Sequence, residues 1–349
     1  MITLSSHSSR GACRRTLFSL PAVALAATIL GIAAQAASAH AKEGGYGWPV
    51  KPFDRPHPVR GGFGDPRTVF AAPPTRGGVL YGGGGFSFHF GVDISAPDGT
   101  KVYPVVSGTV TRVTHEGIGV DTGGGRSFQY WHIHARVRKG EHVDADKTVL
   151  GTILRGAQHV HLTELRDGRA TNPLQRGHLA PYADTTKPEI ETISFRAGDT
   201  GTDLMPNFVR GRMLLIAEAY DSPSLPVKGE WAGMPVAPAL VTWQIRALGG
   251  KLVVPKTVAV DFRSTIPSNG AFWSYYARGT YQNNSVFGNH YSYRQPGCFL
   301  FKLTQAPFDT KKLKDGVYNL VVTVTDIRGN HSSQSRRFTV HNRPGWIGS

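Results

Sequence analysis

The sequence contains only two cysteines among its 349 residues, Cys13 and Cys298. Cys13 lies in a segment that we predict to be removed on export, so the mature chain would retain one cysteine and no internal disulfide. Zinc sites built from four cysteines, or from two cysteines and two histidines, are excluded by the same count. Any metal must therefore be held by histidine and carboxylate side chains.

A sustained apolar period of 3.6 residues is also missing, which argues against long helices. Between residues 59 and 181, short runs rich in Val, Thr and Tyr alternate with glycine clusters, a pattern typical of antiparallel strands. We predict strands over residues 101–106, 108–115, 127–134 and 148–154. The expected fold class is mostly β.

Acidic residues are scarce, since 24 Asp and Glu oppose 39 Lys and Arg to give a formal net charge of +15. The first 39 residues contribute three arginines and no acid, so the chain without them carries +12. Such a charge suits anionic partners such as wall polymers or membrane surfaces. The basic residues are scattered and no recognition helix is indicated, so we predict no nucleic-acid binding.

Residues 1–39 have the pattern of a signal peptide. Three arginines precede the apolar stretch 17–36, and residues 37–39 (Ala-Ser-Ala) form a cleavage site. An uncleaved anchor is the alternative, because the apolar stretch is just long enough to span a membrane. Its alanines and glycines make it only mildly hydrophobic, so we predict cleavage, a secreted or cell-envelope location and no stable membrane insertion. A partial twin-arginine pattern leaves the export route open.

Composition also predicts how the rest of the chain is divided. An extended segment (40–58) leads into a first domain (59–180), and a linker (181–188) joins it to a β-sandwich (189–342) of immunoglobulin or fibronectin-like type. The sandwich strands are expected over residues 189–195, 213–220, 240–247, 318–325 and 336–341, with a turn at 326–330. Residues 263–298 have weak periodicity, and we predict a long insertion that is either a binding surface or a flexible loop.

Histidine is concentrated in three short segments of the first domain. His89 and Asp93 are four residues apart in a predicted strand, so they would share a face, with Gly91 leaving room for a third group. Two later segments add four histidines: His132, His134, His159 and His161. The three segments supply enough donors for one metal ion and a base.

These segments resemble the lysostaphin-type zinc endopeptidases, which cut bacterial cell-wall peptides. The family pattern is His-x-x-x-Asp, then a Tyr-x-His-Leu-like segment, then His-x-His, and it is matched here in order at 89–93, 130–133 and 159–161. Flanking segments resemble the family too, at residues 62–67, 96–102, 107–110 and 172–174. The resemblance covers about residues 58–176.

The resemblance implies a compact antiparallel β metallopeptidase domain with one zinc ion held by His89, Asp93 and His161. A catalytic zinc keeps a further position for water. His132 and His159 are implied as the general base and the stabiliser of the transition state, with the two roles not divided between them.

Other residues around this pattern have expected roles outside the metal site. His134 is expected to be a supporting or surface histidine and Arg67 to be structural. Tyr81, beside the predicted mobile loop Gly82–Gly85, is a candidate for a transition-state donor. The sequence departs from the family after His161, because one extra residue precedes the arginine. Either Thr163 takes the place of the family's glutamate or the strand has a bulge.

The expected function is an exported zinc metalloendopeptidase that hydrolyses peptide bonds in bacterial cell-wall peptidoglycan, with zinc-activated water and a histidine general base. Its expected partners are peptidoglycan peptides, with anionic envelope polymers as further candidates. One alternative is a non-catalytic wall-binding or regulatory envelope protein on the same fold, although such proteins typically lose ligands. Another is a basic envelope protein whose sandwich binds anionic polymer. Which peptide bond is cut stays open.

Overall fold

The fold was obtained as a computed structural model that describes residues 45–68, 86–283 and 296–343. The predicted signal peptide, Tyr81 and the loop Gly82–Gly85 lie outside these residues. The described residues all belong to one compact unit. Within the described ranges, no helix is both long and apolar enough to cross a membrane.

The chain is mostly β, as predicted, and its sheets are antiparallel. Strands of the described part before residue 180 are β1 (Val59–Gly61), β2 (Pro66–Arg67), β3 (Ser87–Phe88), β4 (Val92–Ser95), β5 (Lys101–Val102), β6 (Gly108–Val113), β7 (Gly117–Gly123), β8 (Arg126–Trp131), β9 (Ile133–Ala135), β10 (His142–Val143), β11 (Gly151–Ile153), β12 (His159–Arg166) and β13 (Arg169–Thr171).

The later described residues add β14 (Glu189–Ala197), β15 (Arg212–Tyr220), β16 (Leu240–Ala247), β17 (Leu252–Asp261), the one-turn helix α1 (Phe272–Tyr275), β18 (Leu300–Lys302), β19 (Phe308–Asp309), β20 (Gly316–Thr325) and β21 (His331–Val340). Short 3-10 turns occur at Gly229–Trp231, Asn269–Ala271 and Thr310–Lys312.

An eight-stranded sheet positions the histidine segments. Its order is β1-β4-β12-β8-β7-β6-β10, with β13 also paired to β12. Because β12 lies between β4 and β8, His161 is directly opposite Asp93 on one side and Trp131 on the other. Side chains alternate along β12, so Val160 and Leu162, both fully buried, face the core while the histidines face the opposite side.

Several predicted strands are shorter than expected. The expected strand through His89 is interrupted, because β3 ends at Phe88 and β4 begins at Val92. The backbone N–H of His89 instead donates to the carbonyl of Asp65 at 2.8 Å, outside the main sheet. The strand expected over 127–134 breaks at His132, whose φ is +64°. The strands expected over 101–106 and 148–154 reduce to β5 and β11.

The later strands form two four-stranded antiparallel sheets. In one, β15 pairs with β14, β18 and β19, and the other has the order β17-β16-β20-β21. The rings of Phe195 and Phe338, one from each sheet, lie 5.2 Å apart. The alternation predicted along β20 is confirmed, since its buried side chains are Tyr318, Leu320, Val322 and Val324.

Tyr318 provides a further feature of this region, because its hydroxyl donates to the carbonyl of Lys314 at 2.8 Å. A tyrosine at the start of a strand that bonds back to upstream backbone is a feature of immunoglobulin-like sandwiches. The immunoglobulin-like assignment and the domain boundaries remain predictions.

The predicted insertion is packed where it is described. Phe272 and Tyr276 are 1% and 0% exposed, and their rings lie 5.3 and 5.9 Å from that of Phe88. The flexible-loop alternative is therefore wrong for residues 272–276. A segment far along the chain instead covers the strand that immediately precedes His89.

Candidate metal centre and groove

Three side-chain atoms converge where β4 and β12 pair. His89 Nε2 lies 2.7 Å from His161 Nδ1, and each nitrogen lies 3.0 Å from Asp93 Oδ1. Ligand atoms around a tetrahedral zinc are about 3.3 Å apart when the bonds are 2.0–2.1 Å long. The three predicted ligand atoms, at 2.7–3.0 Å, are thus somewhat closer together than that spacing, and a small outward movement of the rings would admit the ion.

The hydrogen-bond partners of the outer nitrogens of His89 and His161 indicate what this triad can bind. His89 Nδ1–H donates to the carbonyl of Gly62 at 2.8 Å, which leaves a lone pair on Nε2. Thr163 Oγ1 lies 2.8 Å from His161 Nε2 and can accept its proton, in which case a lone pair is left on Nδ1 as well. Two lone pairs and a carboxylate oxygen then face one another with no proton to share. Two imidazoles and a carboxylate are a donor set that fits zinc.

The ligands are also held at the charge states that a metal requires. Burial, with a smaller contribution from the Arg67 cation, lowers the pKa of His89 to about 3, so its ring is neutral at physiological pH. Burial alone would raise the pKa of Asp93, but the neighbouring histidines hold it well below its usual range. Both residues are therefore ready to bind a cation at neutral pH.

Arg67 supports the carboxylate ligand from behind. Its Nη2 donates to Asp93 Oδ2 at 2.9 Å, and its Nη1 lies 3.8 Å from Asp65 Oδ2. Asp65 is fixed in turn by the backbone N–H groups of Gly62 and Ala237, at 2.8 and 2.7 Å. Contacts of this kind orient metal ligands and tune their affinity. Arg67 is thus a positioning residue for Asp93.

Gly61 and Gly91 leave room for the side chains of Asp93 and His161. A Cβ atom built on Gly91 would lie 2.6 Å from His161 Nε2, and one on Gly61 would clash with Asp93 Oδ2. The space that the sequence predicted beside Gly91 is therefore real, and the ring of His161 occupies it.

The open alternative at Thr163 is settled by the register of β12. The strand pairs with β8 from His161 to Arg166 without a shift, so a bulge is excluded there. Thr163 is two residues beyond His161 on the same face and holds its ring, as described above. Glu164 faces the core instead, where it accepts hydrogen bonds at 2.6 Å from Tyr46 and His178.

His132 and His159 lie beside the triad. Their ring centroids are 4.5 Å apart, and His159 Nε2 is 3.5 Å from Asp93 Oδ1. Burial lowers the pKa of His132, and lowers that of His159 to about 3, so both rings are neutral at physiological pH. His134 is exposed and lies on β9, so its surface position is confirmed.

One neighbour of His159 could not be identified from the sequence. Arg60 Nη2 donates to His159 Nδ1 at 2.6 Å, and the carbonyl of Ala157 lies at the same distance from that nitrogen. A guanidinium only donates and a carbonyl only accepts, so Nδ1 can serve one of them at a time. Arg60 therefore influences which nitrogen of His159 carries the proton.

A groove of about 460 Å³ opens over these groups. Its lining includes the metal triad and both non-ligand histidines, together with Arg60, Trp131 and Phe90. Three lining residues come from beyond residue 188: Trp231, Gln282 and Asn283. Gln282 and Asn283 belong to the segment 263–298, for which the sequence offered a binding surface as one alternative. No sequence feature indicated Trp231, because its position depends on contacts between distant parts of the chain.

Comparison with known families shows what this domain is similar to. Residues 87–173 match the model of peptidase family M23. These residues resemble an M23 peptidase domain. The match includes every predicted zinc ligand and both non-ligand histidines, and it supports metallopeptidase activity as the general function. It does not extend to the later sheets, and no curated protein matches the chain.

Solved structures show similarity of limited extent. The SpoIIQ–SpoIIIAH pore-forming complex is 22% identical over 38% of this chain and 90% of that chain, with a TM-score of 0.30. A zinc-containing peptidase from Vibrio cholerae is 22% identical over 37% of this chain and 39% of that one (TM-score 0.28). The deep-sea M23 metalloprotease pseudoalterin is 18% identical over 40% and 76% (TM-score 0.26). Similarities of this size carry no argument about function.

Proposed function

We propose that this protein is an exported zinc metalloendopeptidase that hydrolyses peptide bonds in bacterial cell-wall peptidoglycan. The observation that carries the proposal is the convergence of His89 Nε2, Asp93 Oδ1 and His161 Nδ1 at 2.7–3.0 Å, with their lone pairs facing one another. The M23 match and the basic charge of the chain support it.

His89, Asp93 and His161 would hold the zinc ion, which when bound supplies a Lewis acid that polarises a carbonyl and lowers the pKa of water to about 7. His159 and His132 stand on one side of the triad as neutral imidazoles. Each can take a proton on a bare nitrogen or donate one to a developing oxyanion. Arg67, which is partly buried, keeps the Asp93 carboxylate oriented through its hydrogen bond to Oδ2.

The proposal is tested by incubating residues 40–349 with purified peptidoglycan, with and without a zinc chelator, and measuring newly released amino termini. Release that stops with chelator and returns with zinc is the expected result. Mass analysis of the fragments would then name the bond. A folded protein that releases nothing at any zinc concentration would refute the proposal and favour the non-catalytic envelope protein.

A matched pair of histidine variants separates the site from general effects. His161→Ala removes a ligand and is expected to abolish both zinc binding and release. His134→Ala removes an exposed histidine from β9 and is expected to change neither zinc binding nor release of amino termini. Equal loss in both variants would mean that the triad is not the centre of the activity.

A further inference from the structure

Arg60 is a buried cation without an ionic partner at the edge of the groove. It is 8% exposed, and in the described part of the chain no carboxylate lies within ion-pairing distance of it. A guanidinium offers five N–H donors. One is directed at His159 Nδ1, and the Nε atom is fully buried with no hydrogen-bond partner. Burying an unpaired charge is costly, so this arrangement indicates a missing anion.

Two carboxylates attract the Arg60 cation electrostatically, but both already form other hydrogen bonds. They belong to Asp93 and Asp98, and the Arg67 cation opposes them. Asp93 bonds to the two histidine ligands and to Arg67, as described above. Asp98 accepts the backbone N–H groups of Gly156 and Gln158 at 2.6 and 2.8 Å. Neither carboxylate is free to neutralise the guanidinium by direct contact.

Trp231 contacts this guanidinium. The carbon of the Arg60 guanidinium lies over the Trp231 ring, 4.2 Å from its centre, a cation–π contact that holds a cation without using its N–H donors. Both residues line the groove. Such a contact leaves N–H donors of the guanidinium to form paired hydrogen bonds, which match the geometry of a carboxylate.

We propose that Arg60, in contact with Trp231, binds a carboxylate of the substrate within the groove, so that the preferred substrates are peptides with a free carboxylate close to the scissile bond. This inference rests on the proposed peptidase function. The imidazole of His159 lies between Arg60 and the triad. Its Nδ1 is 2.6 Å from Arg60 Nη2, and its Nε2 is 3.5 Å from Asp93 Oδ1. An extended peptide advances about 3.3–3.6 Å per residue, so the carboxylate belongs one or two residues from the cleaved bond.

The test measures binding of matched peptides to the metal-free mature chain by calorimetry. One pair is N-acetyl-trialanine with a C-terminal carboxylate and its C-terminal amide. The second pair is N-acetyl-Ala-Glu-Ala-amide and N-acetyl-Ala-Gln-Ala-amide. We expect the carboxylate member of one pair to bind about 10- to 100-fold more tightly, and the pair that discriminates shows whether the carboxylate is terminal or in a side chain. Equal affinities in both pairs, or no binding at all, would overturn the inference.

Variants assign that preference to Arg60. Arg60→Gln is expected to reduce the carboxylate preference to about one, whereas Arg55→Gln, which removes an exposed cation, is expected to retain it. If Arg60→Gln does not fold, Trp231→Leu serves instead, because Trp231 is only partly buried, and the preference should fall several-fold. An undiminished preference in folded Arg60→Gln, or in Trp231→Leu where that variant replaces it, would overturn the inference.

The binding measurement also separates this inference from the proposed function. A zinc-loaded protein that cleaves no peptide, but whose metal-free form still prefers carboxylates through Arg60, would refute peptidase activity and retain the anion site. Cleavage of acid and amide peptides with equal kcat/KM, together with equal binding, would retain the peptidase and refute the anion site.

Discussion

Replacing Thr163 by valine tests how this chain holds its zinc ligand. Thr163 is 0% exposed, and its hydroxyl lies 2.8 Å from His161 Nε2. Valine keeps the shape but removes the acceptor, so a buried N–H loses its partner at a cost of about 1–3 kcal/mol. The ring can avoid that cost by moving its proton to Nδ1 and donating to Asp93 Oδ1, 3.0 Å away. That tautomer directs a proton at the position of the metal.

We therefore expect Thr163→Val to weaken zinc binding by about 10- to 100-fold, which corresponds to about 1.4–2.7 kcal/mol. Competition with a chromophoric chelator measures the affinity, and thermal unfolding of the metal-free proteins shows whether the fold is retained. Thr242→Val is the matched control, because Thr242 is 4% exposed and lies on β16 outside the groove. Wild-type zinc affinity in a folded Thr163→Val protein would refute the role assigned to this hydroxyl.

Three further substitutions of buried or closely packed residues have predictable effects on stability or zinc binding. Burial raises the pKa of Asp221 well above its usual value, so its stabilising contribution is complete below the unfolded pKa of about 3.9 and is lost as pH rises through the folded pKa. Asp221→Asn should therefore raise the unfolding temperature at pH 8 but not at pH 4, and lower stability at both would contradict this. Gly91→Ala should cost about 1–3 kcal/mol of unfolding free energy and weaken zinc binding, since its Cβ meets His161, whereas Gly249→Ala, with no atom within 4 Å, should do neither. Tyr276→Phe should cost about 1 kcal/mol in denaturant unfolding, because its buried hydroxyl donates to a backbone carbonyl at 2.7 Å.

Local spacing predicted that His159 and His161 share a face, whereas the choice of His89, Asp93 and His161 as ligands depended on the family resemblance. His159 and His161 share a face in any strand, and Thr163 follows on that face once the strand is regular. The sequence analysis predicted that His89 and Asp93 share a face because both would lie in one strand, and that reason is wrong. Their common direction comes from an interruption between β3 and β4, stabilised by a backbone bond to Asp65, and no strand period predicts that geometry.

The surroundings of the triad could not be predicted, because they depend on contacts between residues far apart in the chain. Arg60 and His159 are 99 residues apart in sequence, and the hydroxyl of Tyr276 bonds a carbonyl 212 residues away. Such pairs leave no periodic signal in a single sequence. Weak periodicity in 263–298 allowed either a binding surface or a flexible loop, whereas the rings of Phe272 and Tyr276 in the described part of this segment are buried. Burial of large rings there outweighs the lack of regular structure.

The position of His89 therefore depends on the second half of the chain. The backbone N–H of Phe88, one residue earlier, donates to Asn269 Oδ1 at 3.1 Å, and the ring of Phe88 is enclosed by aromatic residues of α1 and its flanks. Asp65, which accepts from His89 on one side, is held on the other by the N–H of Ala237. Segments that connect the later strands therefore support the residues around His89 and add Trp231 to the wall of the groove. Metal binding and substrate choice should both respond to mutations far beyond residues 87–173.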